Sequence, residues 1–535
     1  MAKARAFISF VASVLLLASF AAAQEQPTRF TISGVISGAD EFTVTRSAAG
    51  TSVSGHTNFS QGPVALDYTY KLAVAPDCTL QKYDLELRLQ GQVHTISAAR
   101  DGDQIKMHVV TGAGEPQDKS VPFSPAVFVL DNAITGDFQV MADCVDKLQS
   151  PDVILLVPQR LAATPGKLTA AGEDAGTLNG KPVRARRYSL SIATIGVDLW
   201  FDASTHELLR TASAGQNFFV TREGFVLTEK PAAPAGPVNW IEREVKFPSA
   251  EFQFPATLCL PREFKGKAPL VVLVHGSGPH DRDEAVGPNK PFADIAHALA
   301  AAGIATLRYD KRTFAFLLQI NIPTLTLDQE VTDDAVAALA FAATQPEVDA
   351  ARLFVLGHSL GGTMAPYIAQ KYPKLHGMVL MAAGARPIDQ IMAEQVRFKL
   401  KHDGKSDAEI EENMKKQEAG FATMRKAPAT EMFNGIPAGY MRDWMARDPA
   451  KLLRASTVPV LVLQGGSDIQ VSVADYDLLK AAIAGKPNSE AHLFPGMTHM
   501  FAPAPPNQTF DDITKPAHVD PQVTTALAEW IKKLN

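Results

Sequence analysis

The sequence predicts an α/β protein, a parallel sheet covered by helices, preceded by a β-rich N-terminal domain. Three observations predict it. From about Trp240 onward, short apolar runs alternate with stretches of helical periodicity, as in strands buried on both faces between helices. From Gln24 to about residue 228, apolar and polar residues instead alternate with period two, which means strands with one wet face in an antiparallel sheet. Between them lies a proline-rich linker, residues 229–239, poor in core residues. The chain of 535 residues is also too long for one ordinary domain. A formal net charge of −6 is small for this length and argues against nucleic acid or an anionic membrane as the main partner.

At the N-terminus, Lys3 and Arg5 precede an apolar run from Ala6 to Phe20, and Ala21-Ala22-Ala23 offers a cleavage site before Gln24. Residues 1–23 therefore read as a secretory signal peptide, and the expected location is periplasmic or extracellular, with no membrane span left after cleavage. In an exported protein Cys78 and Cys144 are free to pair, leaving Cys259 in an apolar strand, but spacing alone does not decide it. No C-x-x-C or H-E-x-x-H pattern occurs, so neither a metal nor another cofactor is expected.

In the β-rich domain (24–228), Phe30–Val35, Leu66–Leu72 and Tyr83–Leu89 alternate as strands, separated by turns such as Arg100-Asp101-Gly102-Asp103. Val197–Asp202 and Glu207–Thr211 read as a hairpin, and Asn132–Leu148 as the one helix, expected to close over a curved sheet. No catalytic constellation is legible there, and a binding or scaffolding role is the default.

The second domain (240–535) opens with strands Trp240–Lys246 and Phe252–Leu260, then the buried strand Leu270–Val274. A helix over Phe292–Ala302 ends at Gly303, followed by strand Ile304–Tyr309 and a helix over about Leu327–Ala343. Next comes Leu353–Leu356, a buried strand running into Gly357-His358-Ser359-Leu360-Gly361, which fits G-x-S-x-G, the sharp strand-to-helix turn that exposes a serine. Strand Gly377–Ala382, a charged, methionine-containing helical region over about 388–453, and strands Val458–Leu463 and Ala491–Phe494 complete the order.

A serine hydroxyl is a poor nucleophile at neutral pH, so Ser359 needs a histidine to take its proton and an acid to orient that histidine. Both fall just beyond later strands: Asp468 after Val458–Leu463, and His499 after Ala491–Phe494. The backbone N–H of Leu360 supplies one oxyanion donor. That of Ser277, in the loop His275-Gly276-Ser277-Gly278-Pro279 after Leu270–Val274, supplies the second. Among competitors, Asp475 and Asp477 read as solvated helix residues, His492 as a structural residue of the last strand, and His358 as a packed or hydrogen-bonded neighbour. His275, Asp281, Arg282 and Asp283 read as an ion-paired frame for the loop, with Asp310-Lys311-Arg312 as partners.

Taken together, His275-Gly276-Ser277-Gly278-Pro279, Asp281-Arg282-Asp283, Asn289-Lys290-Pro291-Phe292, Arg308-Tyr309-Asp310-Lys311-Arg312, the serine turn and Gln464-Gly465-Gly466-Ser467-Asp468-Ile469-Gln470-Val471 resemble the α/β-hydrolase esterases close to the serine aminopeptidase-like group. The resemblance covers about 240–535 only. It implies an α/β-hydrolase fold with a helical cap at about 388–453 and a carboxylesterase-like serine hydrolase that needs no cofactor. His280, where a smaller polar residue is commoner, and Thr313, where glycine is common, depart from the pattern. In the cap, Tyr440 and Trp444 are four residues apart and are expected in the wall of the substrate pocket. The expected substrate is a small-molecule ester of short to medium acyl chain length. The alternatives are a peptidase or thioesterase with the same triad, or a binding protein with an inactive hydrolase fold.

Overall fold

The structure is a computed structural model that describes residues 27–534 except 35, 62–63, 90–91, 113, 132–133, 193–194, 214–217, 229–237, 318 and 434. The expected signal peptide (1–23) and most of the linker (229–239) lie outside the described residues.

The N-terminal half forms a sixteen-stranded sheet in which almost all neighbours are antiparallel. Its first strand, Thr28–Gly34, pairs both with Ser37–Ser47 and with Phe218–Arg222, so the two ends of this half meet in the middle of the sheet. Alternation sends Phe30, Ile32, Tyr83, Leu85, Leu190 and Leu199 to one shared core. A helix over Gly136–Cys144 fills that core, with every residue but Asp143 buried. The turn Pro158–Arg160 packs against the distant strands Gln92–Asp101 and Gln104–Thr111, so the sheet curls around the helix.

This helix is shorter than the expected 132–148 span. Upstream of it, backbone donors go to carboxylates instead: Asp131 N–H to Asp137 at 2.9 Å and Thr135 N–H to Asp40 at 2.8 Å. Burial pushes the Asp40 carboxyl up to about 6 and Asp131 up to about 7, and holds Asp137 well above its ordinary value. At the other end of the helix, Cys144 forms a disulfide with Cys78.

The second sheet has eight strands in the order Trp240–Ser249, Phe252–Pro261, Ala305–Tyr309, Ala268–Val274, Val348–His358, Gly377–Met381, Val460–Gly465 and Glu490–Phe494. Phe252–Pro261 pairs antiparallel with both of its neighbours, and from Ala305–Tyr309 onward the pairs are parallel. Both faces are covered. Leu270, Val272, Leu353 and Val355 join one core, while Val271, Leu273, Phe354 and Leu356 join the core on the opposite face. The helix expected at 327–343 begins as a π-helical turn, Asp328–Asp333, before continuing as Asp334–Ala342. Its wider turn carries Glu330, which is buried.

Between Gly377–Met381 and Val460–Gly465 the chain builds the cap from helices Ile388–His402, Asp407–Lys426, Ala438–Met445 and Pro449–Ala455 and a short hairpin. Ile391, Phe421, Met424 and Met441 give it a small core of its own. Asp475 is not solvated as expected. It is fully buried and accepts the Ala385 and Arg386 N–H groups, both at 2.9 Å, together with the Arg386 guanidinium. Asp477, two residues on, is exposed.

Candidate active site

Ser359 stands between the end of strand Val348–His358 and the start of helix Leu360–Lys371. Its backbone has φ 51° and ψ −114°, a conformation that costs a residue with a side chain on the order of 1–3 kcal/mol. The flanking glycines make the turn possible. A Cβ on Gly357 would sit 2.1 Å from the Gly361 carbonyl oxygen, and one on Gly361 would sit 2.2 Å from that of Val274. The loop after Ala268–Val274 lies directly beside the serine, since a Cβ on Gly276 would fall 3.2 Å from that of Ser359.

Asp468 and His499 lie beyond neighbouring strands, as the sequence places them, and both are buried. His499 Nδ1 lies 2.7 Å from Asp468 Oδ2. A carboxylate only accepts, so Nδ1 carries a proton, and in the neutral ring Nε2 is then the acceptor. Asp468 is itself held by the N–H groups of Gln470 at 2.8 Å and Val471 at 3.0 Å and by Gln464 Nε2 at 3.0 Å. The His499 ring packs against that of His358, the neighbour of Ser359, with centroids 4.7 Å apart. His492 sits apart from this group, half-exposed and 3.0 Å from Glu490.

Leu360 opens the helix, so its N–H has no partner within it. In the facing loop the Gly276 N–H is taken by Glu284, and the Gly276 carbonyl accepts from Lys311 Nζ at 2.7 Å. The Ser277 N–H, next along, has no protein acceptor among the described residues. Two backbone donors are thus available on either side of Ser359.

The charged frame is partly as expected. Arg282 pairs with Asp310 at 3.0 Å, and Asp283 with Lys290 at 3.2 Å and with Arg308. Arg312 turns away to Asp334, which also accepts from Ser249. His275 packs between Phe292 and Tyr309, and burial pushes it down to about 3, so it is neutral. His280 Nε2 lies 2.8 Å from the Ser277 carbonyl, and Thr313 donates to Glu330 at 2.7 Å.

Sequence reading does not single out Glu284, which follows Asp281-Arg282-Asp283; it adopts φ 51° and is buried. Its carboxylate lies 3.0 Å from His358 Nδ1, off the line of a hydrogen bond, while His358 Nε2 donates to the His499 carbonyl at 3.1 Å. With a buried carboxylate facing one side of the ring and a carbonyl accepting on the other, these neighbours favour the imidazolium form of His358. Burial alone would raise Glu284, but the facing His358 outweighs it and holds the carboxyl at about 2. Burial alone would lower His358, but Glu284 outweighs it and raises the ring above its ordinary value.

The expected pocket residues need correction. Tyr440 is buried in the core beneath the cap, and its hydroxyl donates to Glu330 rather than facing a substrate. Trp444 meets it edge-on at 6.3 Å and is half-buried between the cap core and the sheet core. A groove of about 580 Å³ lies elsewhere, between cap helix Ile388–His402 and the acid loop, lined by Glu394, Phe398, His402 and residues 466–470. It touches Asp468 but neither Ser359 nor His499, so it adjoins the triad residues without containing the candidate nucleophile.

Residues 267–503 match the family described as serine aminopeptidase, S33. The chain is 36% identical over 283 residues to esterase EstD of Thermotoga maritima, covering 52% of this chain but only 65% of that protein. Among solved structures, Est1E from Butyrivibrio proteoclasticus is 18% identical, with 54% of this chain and 98% of that chain covered and a TM-score of 0.37. An acetyl xylan esterase from Paenibacillus sp. R4 is 15% identical, with 56% and 86% covered and a TM-score of 0.38. The order of strands and the serine turn agree with the matched family, and the C-terminal part of this chain has an α/β-hydrolase fold and is similar over residues 267–503 to the serine aminopeptidase S33 family.

Proposed function

We propose that the protein is a serine hydrolase that cleaves small carboxylic esters through an acyl-Ser359 intermediate. The observation that carries this is the buried Asp468–His499 pair, whose imidazole packs on His358, the residue next to a serine held on a strained turn. His499 takes the Ser359 proton as Oγ attacks the ester carbonyl, and the N–H groups of Ser277 and Leu360 receive the oxyanion. Collapse of the tetrahedral intermediate expels the alkoxide, which leaves with the proton from His499. Water, deprotonated by the same nitrogen, then releases the acid and regenerates Ser359.

Similarity to an esterase supports the ester as substrate. A peptidase or thioesterase would use the same machinery. Against a peptidase, no cluster of acidic residues in the sequence marks a site for a substrate amine. Short to medium acyl chains fit a roofed site, because each added methylene helps only while it can be buried. Nucleic acid is not a partner in this reading, and export remains part of it. The disulfide supports an oxidising compartment, and among the described residues no helix is long and apolar enough to cross a membrane. The test is p-nitrophenyl acetate beside an aminoacyl anilide, with wild type and Ser359→Ala. Preferred cleavage of the anilide overturns the ester reading, and turnover by Ser359→Ala overturns the serine mechanism.

A further inference from the structure

Lys311 is 2% exposed, and its ammonium lies inside the protein, 2.7 Å from the Gly276 carbonyl oxygen and 3.5 Å from Glu330 Oε1. Burying a lysine is costly. A hydrocarbon or thioether side chain of similar length would fill the same space without the desolvation penalty. Packing therefore does not explain the charge.

Its target does. The Gly276 carbonyl and the Ser277 N–H are the two ends of a single peptide unit. A full positive charge bonded to the oxygen draws electron density out of the amide and makes the N–H at its other end a stronger donor, the cooperative effect seen along hydrogen-bond chains. That N–H is the oxyanion donor assigned above.

The surroundings hold the ammonium in place. Glu330, on the π-helical turn, accepts from Thr313 Oγ1 at 2.7 Å and from the hydroxyl of Tyr440, while remaining within reach of Lys311. Tyr440 belongs to cap helix Ala438–Met445, so one buried chain runs from the cap through Glu330 and Lys311 to the loop beside Ser359. On the other side of the same glycine, Glu284 takes the N–H. The loop is gripped by charge at both ends of Gly276.

We propose that Lys311 is a positioning residue of the oxyanion hole. Its ammonium acts on the developing oxyanion through the Gly276–Ser277 peptide, and Glu330, Thr313 and the cap residue Tyr440 hold it there. This rests on Ser359 as nucleophile and Ser277 as donor. Deleting an oxyanion donor outright costs roughly 10²–10³ in kcat, so weakening one costs less. Lys311→Met is expected to lower kcat on p-nitrophenyl acetate by roughly tenfold to hundredfold with KM changed by less than about twofold.

The readout that a merely structural role would not move is affinity for a boronic acid. Such an acid forms a tetrahedral adduct on Ser359, and its affinity should fall by the same factor as kcat. Tyr440→Phe, which keeps the ring and both charges, should give a smaller loss of both quantities in parallel. Should Lys311→Met not fold, Lys311→Met/Glu330→Gln removes the two charges together and carries the same expectation.

Variants with kcat and boronate affinity within twofold of wild type overturn the proposal, as does a loss of kcat without loss of boronate affinity. Ser359→Ala, run alongside, separates the two levels. If it abolishes turnover while the Lys311 variants are normal, only this proposal falls; if it retains turnover, the nucleophile assignment falls first.

Discussion

Glu284→Gln isolates the buried charge pair behind the candidate nucleophile. In the wild type the Glu284 carboxylate accepts the Gly276 N–H and faces the His358 imidazolium, whose other nitrogen donates to the His499 carbonyl. The amide can keep the Gly276 bond through its oxygen but leaves the imidazolium without a counter-charge. Removing one partner of a buried pair costs about 3–5 kcal/mol, and the low end applies because His358 can shed its proton and accept from the new amide. At about 2–4 °C per kcal/mol for a domain of this size, roughly 3 kcal/mol is a fall of roughly 6–12 °C in Tm.

The pH dependence is the sharper signature. His358 is raised in the folded state, so its contribution is complete below the ordinary imidazole value of 6.5 and fades as pH rises through the folded value. Glu284 is lowered, so its contribution is complete above 4.5 and fades as pH falls toward about 2. His275, neutral throughout, does not mask this. Differential scanning calorimetry of both proteins from pH 5 to 9 should show the widest gap in Tm near pH 5–6.5, narrowing toward pH 9. A gap that is constant over that range, or worth less than about 1 kcal/mol at pH 6, refutes the pair.

Asp468→Asn should cut ester turnover by roughly 10⁴, as when a triad histidine takes the wrong tautomer, whereas His492→Ala should leave kcat/KM within twofold. Loss of activity in a folded His492→Ala would refute the histidine assignment. Opening the Cys78–Cys144 disulfide, which closes a separation of 66 residues, should destabilise the N-terminal sheet by about 4 kcal/mol, read by denaturant titration of Cys78→Ala/Cys144→Ala. Asp40, raised to about 6, and Asp131, raised to about 7, bind protons more tightly folded than unfolded. Stability of that half should therefore be greatest below pH 4 and decline as pH rises toward 7, at up to about 1.4 kcal/mol per unit for each group. A midpoint that rises over that interval would show that other groups dominate.

What the sequence made legible was set by local information. Buried strands such as Leu353–Leu356 announce themselves by composition, and G-x-S-x-G carries its own steric reason, so the turn and the residues beyond the strand ends were readable together. Partners distant along the chain were not. Tyr440 looked like a pocket residue because its ring is large and amphipathic; its hydroxyl is committed to Glu330, 110 positions away, which no spacing rule reveals. Asp475 looked solvated for the same reason, its partners being Ala385 and Arg386. In the N-terminal half, period two identified strands but not their neighbours. The pairing of Thr28–Gly34 with Phe218–Arg222 is a closure that alternation cannot express.

The burial of Asp475 bears on how a substrate enters. Arg386 stands at the entry root of the cap, and its backbone and guanidinium are both fastened to that one carboxylate on helix Val473–Ile483. The exit root, helix Pro449–Ala455, packs on the same helix and adds Ala450 and Leu453 to the main core. A cap bolted at both roots cannot swing open as a hinged door without breaking the bonds to Asp475 first. The most exposed part is the pair of helices Ile388–His402 and Asp407–Lys426 between the roots, the second of which buries only Ile410, Phe421 and Met424. Lifting that second helix while the roots stay still means parting this small apolar contact together with the Arg425–Asp389 pair and the Arg442 bonds to the Met424 and Ala427 carbonyls.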